Sequence, residues 1–154
     1  DAQVDDALLS EVAELRAAGH AVILVHGGGP EIDQALLRLG LATRRVDGLR
    51  ITDADTLEVA ESVLCATANK RLVRACLQRG IPSVGISGQD GGMIRVRRAF
   101  SPAGTDLGFV GEIVSVDPAP LLTLMEAGYL PIVSPIAAPG CANWCGAAGR
   151  RAAW

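Results

Sequence analysis

The sequence is almost without lysine: Lys70 stands alone among fourteen lysine and arginine residues, and Arg71 follows it. A Walker-type phosphate loop must end in Lys-Ser or Lys-Thr, so that motif is excluded. The dinucleotide fingerprint G-x-G-x-x-G is missing too, because Gly27-Gly28-Gly29-Pro30-Glu31-Ile32 lacks its last glycine. Gly85-Ile86-Ser87-Gly88-Gln89 fails the final position of a G-x-S-x-G hydrolase elbow. No apolar run approaches the length that crosses a bilayer. The acidic start, Asp1-Ala2-Gln3-Val4-Asp5-Asp6, lacks the pattern of a secretory signal. With a net charge of −3, the chain has no electrostatic reason to seek nucleic acid. Neither nucleic acid nor a membrane is an expected partner. Histidine is limited to His20 and His26, far from the Cys141-x₃-Cys145 pair, so no metal site is expected. Four cysteines in 154 residues form no extracellular framework, and a reducing cytoplasm is the expected compartment.

What is present reads as one folded domain of α/β grammar. Asp6 to Ala18 is an amphipathic helix with Leu8, Leu9, Val12 and Leu15 on its apolar side. Ala21-Val22-Ile23-Leu24-Val25 is short and β-branched, as expected of a parallel strand buried on both faces. Val25-His26-Gly27-Gly28-Gly29-Pro30 then turns directly into a helix, for which Pro30 is a good first residue. Ile32, Leu36 and Leu39 form its apolar stripe. Three glycines admit two readings. Either the turn needs positive φ, or a ligand touches bare main chain at a helix N-terminus, where free N–H groups favour an anion such as phosphate. The second reading makes Gly27, Gly28 and Gly29 phosphate-contacting candidates. His26 has no nearby Ser or Cys partner and reads as a structural histidine, not a base.

Asp47-Gly48 favours a two-residue hairpin turn, and strand alternation then sets Arg50 opposite Leu49 and Ile51. A guanidinium held there suits a carboxylate. Thr52 and Asp55 resemble a capping box, opening a long helical stretch to Arg79 with a break expected around Thr67-Ala68-Asn69. Two apolar stripes run along it, Leu57/Ala60/Val63/Leu64 and Leu72/Val73/Cys76/Leu77, more than one sheet face obviously needs. Cys65 and Cys76 read as small hydrophobes. Further strands are expected at Ser83–Ile86, Met93–Arg97, Phe109–Val116 and Tyr129–Val133, with a helix over Pro118–Ala127. Ser87-Gly88-Gln89-Asp90-Gly91-Gly92 is a second glycine-rich turn at a strand's carboxyl end, the usual ligand side of an open α/β sheet.

Taken in order, these segments resemble the acetylglutamate kinase family of the amino-acid-kinase fold. The matching stretches are Val25–Pro30, Asp47-Gly48-Leu49-Arg50-Ile51-Thr52-Asp53-Ala54, Ala68-Asn69-Lys70, Val84–Gly91, Leu107–Glu112 and Gly128–Ser134. The resemblance implies a layered αβα sandwich with a mainly parallel open sheet. It also implies ATP-dependent phosphorylation of the side-chain carboxylate of N-acetyl-L-glutamate in arginine biosynthesis, with Mg²⁺, by a homodimer or higher oligomer. It carries Gly28 and Gly29 over as substrate and phosphoryl contacts, and Arg50 as the grip on a substrate carboxylate.

The family pattern is incomplete here. Its opening strand with a lysine and a glycine pair, its Asn-x-Asn-Ala-Asp segment, and its nucleotide-binding half with a second lysine are not found. No residue is therefore assigned as catalytic, and the site for ATP and Mg²⁺ is expected to be largely missing. Residues 1–136 are expected to form an acylamino-acid-binding lobe. Residues 137–154, with two cysteines, both tryptophans and no periodicity, read as a disordered or frameshifted tail. The alternatives are a non-catalytic acylamino-acid-binding or interaction module, and a kinase of a related aminoadipate derivative.

Overall fold

The computed structural model describes residues 5–139 together with 152 and 153. Helix α1 (Asp6–Ala17) opens on Asp5, whose carboxylate accepts the Ala7 N–H. Strand β1 (Leu24–Val25) leads through the glycine turn into α2 (Gly29–Arg38). Strands β2 (Arg44–Val46) and β3 (Leu49–Ile51) form a hairpin. Its two turn residues both have positive φ, 52° at Asp47 and 80° at Gly48, which is the type I′ geometry that Asp-Gly favours. Helix α3 (Ala54–Glu61), a π-helical segment (Ser62–Ala68) and α4 (Asn69–Gln78) follow without interruption. Then come β4 (Ser83–Ser87), a 3₁₀ turn (Asp90–Gly92), β5 (Ile94–Phe100), β6 (Asp106–Val116), α5 (Ala119–Glu126), β7 (Leu130–Ser134) and β8 (Ile136–Pro139). A two-residue strand β9 (Ala152–Ala153) pairs with β6 and β8.

The expected α/β class is what forms. The central sheet has the order β1-β7-β4, parallel throughout, with Ile132 opposite both Leu24 and Gly85. Every residue of β7 is buried. Helices α1 and α4 cover one face of this sheet through a cluster of Leu9, Val12, Cys76, Ile81, Leu130 and Ile132. A second cluster joins Ile32 and Leu36 of α2 to Leu57, Ala60, Val63, Leu64 and Ile136. Each such aliphatic side chain contributes about 1.5–3 kcal/mol when fully buried, so these two clusters carry most of the fold's hydrophobic stabilisation.

Five sequence expectations change. The first strand is short and lies at a sheet edge, paired only with β7, and its Val25 is 71% exposed. Ile23 and Val25 line one side of an apolar cleft of about 390 Å³ whose other walls include Met93, Ile113, Val116 and Leu121. Leu39 is 64% exposed, since α2 ends at Arg38 and the stripe reduces to Ile32 and Leu36. The cap of α3 is Asp53, which accepts the Thr56 N–H at 2.9 Å, while Thr52 is buried and bridges to Gly108. The irregularity expected around Thr67–Asn69 takes the form of a π-helical segment, Ser62–Ala68, after which the α-helix resumes at Asn69. Both stripes of the long helical stretch are spent within the chain, leaving only Leu77 strongly exposed. Those stripes therefore carry no argument for self-association.

Strand β8 crosses the boundary expected after residue 136. Ala137 is fully buried against Val96, and Ala138 and Pro139 pair in parallel with Arg95 and Val96. Cys141, Cys145, Trp144 and Trp154 lie outside the described residues.

Candidate functional site

The carboxyl ends of three parallel strands converge on two glycine-rich turns. The His26 N–H donates to the Val133 carbonyl, extending the β1–β7 ladder by one residue, and the Gly88 N–H donates to Ser134, extending the β4–β7 ladder. Gly27–Gly29 and Ser87–Gly92 are thereby pinned on opposite sides of the end of β7. This is the edge at which open α/β sheets hold ligands. Asp90 closes the second turn by accepting both the N–H and the hydroxyl of Ser87, at 2.7 and 3.0 Å. Cys65 Sγ lies 3.2 Å from the Ser134 hydroxyl, and burial pushes its thiol up, as it does that of Cys76. Both behave as the inert small hydrophobes expected.

The geometry of the first turn bears on both readings of its glycines. None of Gly27, Gly28 and Gly29 lies in the left-handed region, and Gly28 has φ 177° and ψ 32°. A left-handed turn does not explain them. A Cβ added at Gly28 would lie 2.8 Å from a methyl of the buried Leu64, so packing requires that glycine. A Cβ at Gly27 or Gly29 would meet nothing within 4 Å. The main chain there faces open space at the start of α2, and among the described residues none of these three N–H groups meets a backbone carbonyl. Bare N–H donors at a helix N-terminus form an anion cradle.

Arg50 is brought to the same place. Its Nη2 donates to the Gly29 carbonyl at 3.3 Å and to Asp33 at 2.6 Å, with only 12% of the side chain exposed. The hairpin turn does this, and the Thr52 N–H to Leu107 and Phe109 N–H to Thr52 bonds lock the hairpin's end to β6. The guanidinium is thus already engaged on one nitrogen, by a carboxylate that Arg45 also holds at 2.7 Å. Arg50 Nε is buried without a partner among the described residues.

Burial raises the Asp33 carboxyl, but the Arg50 hydrogen bond and charge, with Arg45, outweigh it and leave the group below the usual carboxylate range. Glu31 is lowered by its own backbone N–H and by Arg71, and Asp53 by its hydrogen bonds to Thr56. A carboxylate depressed in the folded state stabilises above its unfolded pKa, near about 4, and that stabilisation is lost as pH falls through the folded value. Urea midpoints are therefore expected to drop steadily as pH is lowered from about 5 to below 3. Arg50→Ala should flatten the part due to Asp33. Parallel curves for the two proteins would show that Arg50 does not hold Asp33 in solution.

Sequence reasoning missed Asn69 as more than part of a motif. It is 1% exposed, and its Nδ2 donates to the Ile132 carbonyl at 2.9 Å and lies 3.2 Å from His26 Nε2. The signal was present: Asn69 sits on the same helical face as Val73 and Cys76, an amide on an otherwise apolar stripe. Lys70, the single lysine, is used internally, donating to the Gly85 carbonyl at 2.7 Å and to Asn69 Oδ1 at 3.2 Å.

A parallel sheet whose carboxyl edge carries two glycine-rich turns, a helix N-terminus and a largely buried arginine defines an α/β protein. The amino acid kinase family model matches residues 3–147, and the chain belongs to that family. It is 41% identical to the acetylglutamate kinase of Symbiobacterium thermophilum over 88% of this chain and 48% of that protein. It is 44% identical to that of Chloroflexus aurantiacus over 81% of this chain and 49% of that protein. The chain spans about half the length of the curated relatives it matches. Among solved structures, an N-acetylglutamate synthase from Neisseria gonorrhoeae in complex with coenzyme A and N-acetyl-glutamate has a TM-score of 0.68 at 25% identity. That likeness covers 84% of this chain and 29% of the synthase. The smu.665 protein of Streptococcus mutans shares the fold, with a TM-score of 0.79 at 19% identity over 90% of this chain and 55% of that one.

Proposed function

We propose that this chain, through strand β8, is the acylamino-acid-binding lobe of an acetylglutamate kinase. Such an enzyme uses ATP to phosphorylate the side-chain carboxylate of N-acetyl-L-glutamate. The observation that supports this most directly is the meeting of Arg50 with the free N–H end of α2, at 3.3 Å from the Gly29 carbonyl. One carboxylate of a dicarboxylic substrate would pair with the guanidinium. The other would lie at Gly28 and Gly29, whose N–H groups would also hold the transferring phosphoryl group. Transfer would be direct and in line, so this part of the protein contributes positioning and charge neutralisation without a covalent intermediate. The residues at the glycine turn fit a phosphoryl group of ATP. They do not fit Mg²⁺ held by side chains, since no group of three or more His, Cys, Asp or Glu gathers among the described residues. No step is derived through that ion. The cytoplasm is the proposed location and a second copy of the chain the proposed partner; no helix among the described residues is long and apolar enough to cross a membrane.

A second reading, binding without chemistry, is favoured by one fact: the only lysine, Lys70, is turned to the sheet and not to the glycine turn.

Calorimetric titration with N-acetyl-L-glutamate tests the assignment, using Gly29→Ala as the diagnostic variant. The added methyl meets no described atom and replaces glycine at the first helical position, so stability should hold or rise by about 0.4–1 kcal/mol. Affinity should nevertheless fall, because the methyl occupies the space a ligand needs against the main chain. Absence of binding to the unmodified chain, or unchanged affinity in Gly29→Ala, would overturn the assignment.

A further inference from the structure

We propose that Asn69 is a positioning residue for the glycine turn: by donating to His26 Nε2 it leaves the proton of that ring on Nδ1, and through the ring it fixes and polarises the Gly27–Gly28 peptide. The inference rests on the reading of this turn as an anion site.

The amide of Asn69 has one workable orientation. Its Nδ2 faces two carbonyl oxygens, Ile132 at 2.9 Å and Ile86 at 3.4 Å, which can only accept. Its Oδ1 faces the Lys70 ammonium at 3.2 Å, which can only donate. One Nδ2 hydrogen goes to Ile132 and the other lies between His26 Nε2 at 3.2 Å and Ile86, so His26 Nε2 faces a donor and can only accept. A neutral ring that accepts at Nε2 carries its proton on Nδ1, and Nδ1 lies 3.0 Å from the Gly27 carbonyl. That carbonyl belongs to the peptide whose N–H is Gly28's. A hydrogen bond to the oxygen of a peptide strengthens its N–H as a donor. Lys70, Asn69, His26 and Gly27 thus form a chain in which every donor points the same way, from the Lys70 ammonium to the turn.

Two features of the sequence make room for this chain. Gly85 on β4 has no alternative, since a Cβ there would collide with Asn69 Oδ1 and fall 2.8 Å from Lys70 Nζ. The π-helical turn ends at Ala68, immediately before Asn69. One residue more per turn advances everything after it by about 100° around the helix axis. The inserted turn therefore decides which side chain of α4 meets the strand ends.

The test is a long-range ¹H–¹⁵N spectrum of the histidine rings of the full chain, with His20→Gln assigning the two. His26 is expected to show a protonated Nδ1 and a bare Nε2; a ring protonated mainly on Nε2 overturns the proposal. In Asn69→Ala the Nδ1 preference should be lost and the Gly28 amide resonance should move. Affinity for inorganic phosphate, followed through the Gly28 and Gly29 amides, should fall about two- to tenfold, the size of one neutral hydrogen bond. Because Asn69→Ala also removes the bond to the Ile132 carbonyl, His26→Phe provides an arm that leaves Asn69 in place. It should move the Gly28 amide and weaken phosphate to the same extent, and an unaltered amide and affinity there overturn the proposal. If phosphate moves neither glycine in the unmodified chain while His26 is protonated on Nδ1, the anion reading fails and the hold of Asn69 on His26 stands.

Discussion

Replacing Arg50 by alanine is expected to weaken N-acetyl-L-glutamate binding by about ten- to a hundredfold, or roughly 1.5–3 kcal/mol, the worth of a charge-assisted hydrogen bond. The magnitude is set at the upper end of such contacts by burial. The Arg50 side chain is only 12% exposed, so its charge is poorly screened from a ligand at the end of α2. The effect on folding should be much smaller. Asp33, the carboxylate that Arg50 would abandon, is 39% exposed and keeps Arg45 as a partner, and ion pairs that open to water contribute about 0–1 kcal/mol. Arg45→Ala is the control: it removes the other partner of the same carboxylate without approaching the glycine turn, and should leave affinity unchanged. Calorimetry on the three proteins, with thermal melts beside it, separates binding from stability. Equal affinity in the unmodified chain and Arg50→Ala would remove Arg50 from the site and with it the strongest support for the substrate.

The 154-residue chain assayed alone is expected to give no N-acetyl-L-glutamate-dependent release of ADP. Phosphoryl transfer gathers several negative oxygens in one place, and catalysis consists largely of preorganised donors that meet them. This chain brings backbone N–H groups at Gly28 and Gly29 and one guanidinium. Its lysine is already bonded to Gly85 and Asn69. Loss of a single preorganised donor commonly costs about 10²–10³ in rate, and a cationic side chain at the phosphoryl position is one such donor. A coupled assay with and without substrate measures this directly. Turnover that requires substrate and disappears in Arg50→Ala would show that the described residues suffice for chemistry.

Local chemistry was legible in the sequence wherever one residue type has one physical use. Asp47-Gly48 announced a type I′ turn because few other pairs tolerate two positive φ angles in succession, and Arg50 followed from strand alternation. The glycine run announced bare main chain, though the absence of left-handed φ within it needed coordinates. Edge position was not legible. Ala21–Val25 has the composition of a central strand, and nothing local records that only one neighbour pairs with it. The cap moved from Thr52 to Asp53 because Thr52 is recruited by a distant strand, a competition that the local pattern does not contain. Strand β8 was passed over because Ala137, Ala138 and Pro139 are too small to show alternation, yet small residues are what the packing against Val96 accommodates.

The strand order β1-β7-β4 also dictates when the sheet can form. The strand that lies between the other two is the last of the three along the chain, so neither β1 nor β4 has a hydrogen-bonding partner in this sheet until Leu130–Ser134 arrives. Helices α1 to α4 can assemble from local contacts, but the parallel ladder must close two long loops at once, and the entropy of that closure precedes any reward from pairing. During synthesis the emerging chain therefore carries two unpaired strand edges and the apolar side of α4 until the ribosome has passed residue 134. That interval, and not the finished structure, is where this sequence is most exposed to misassembly.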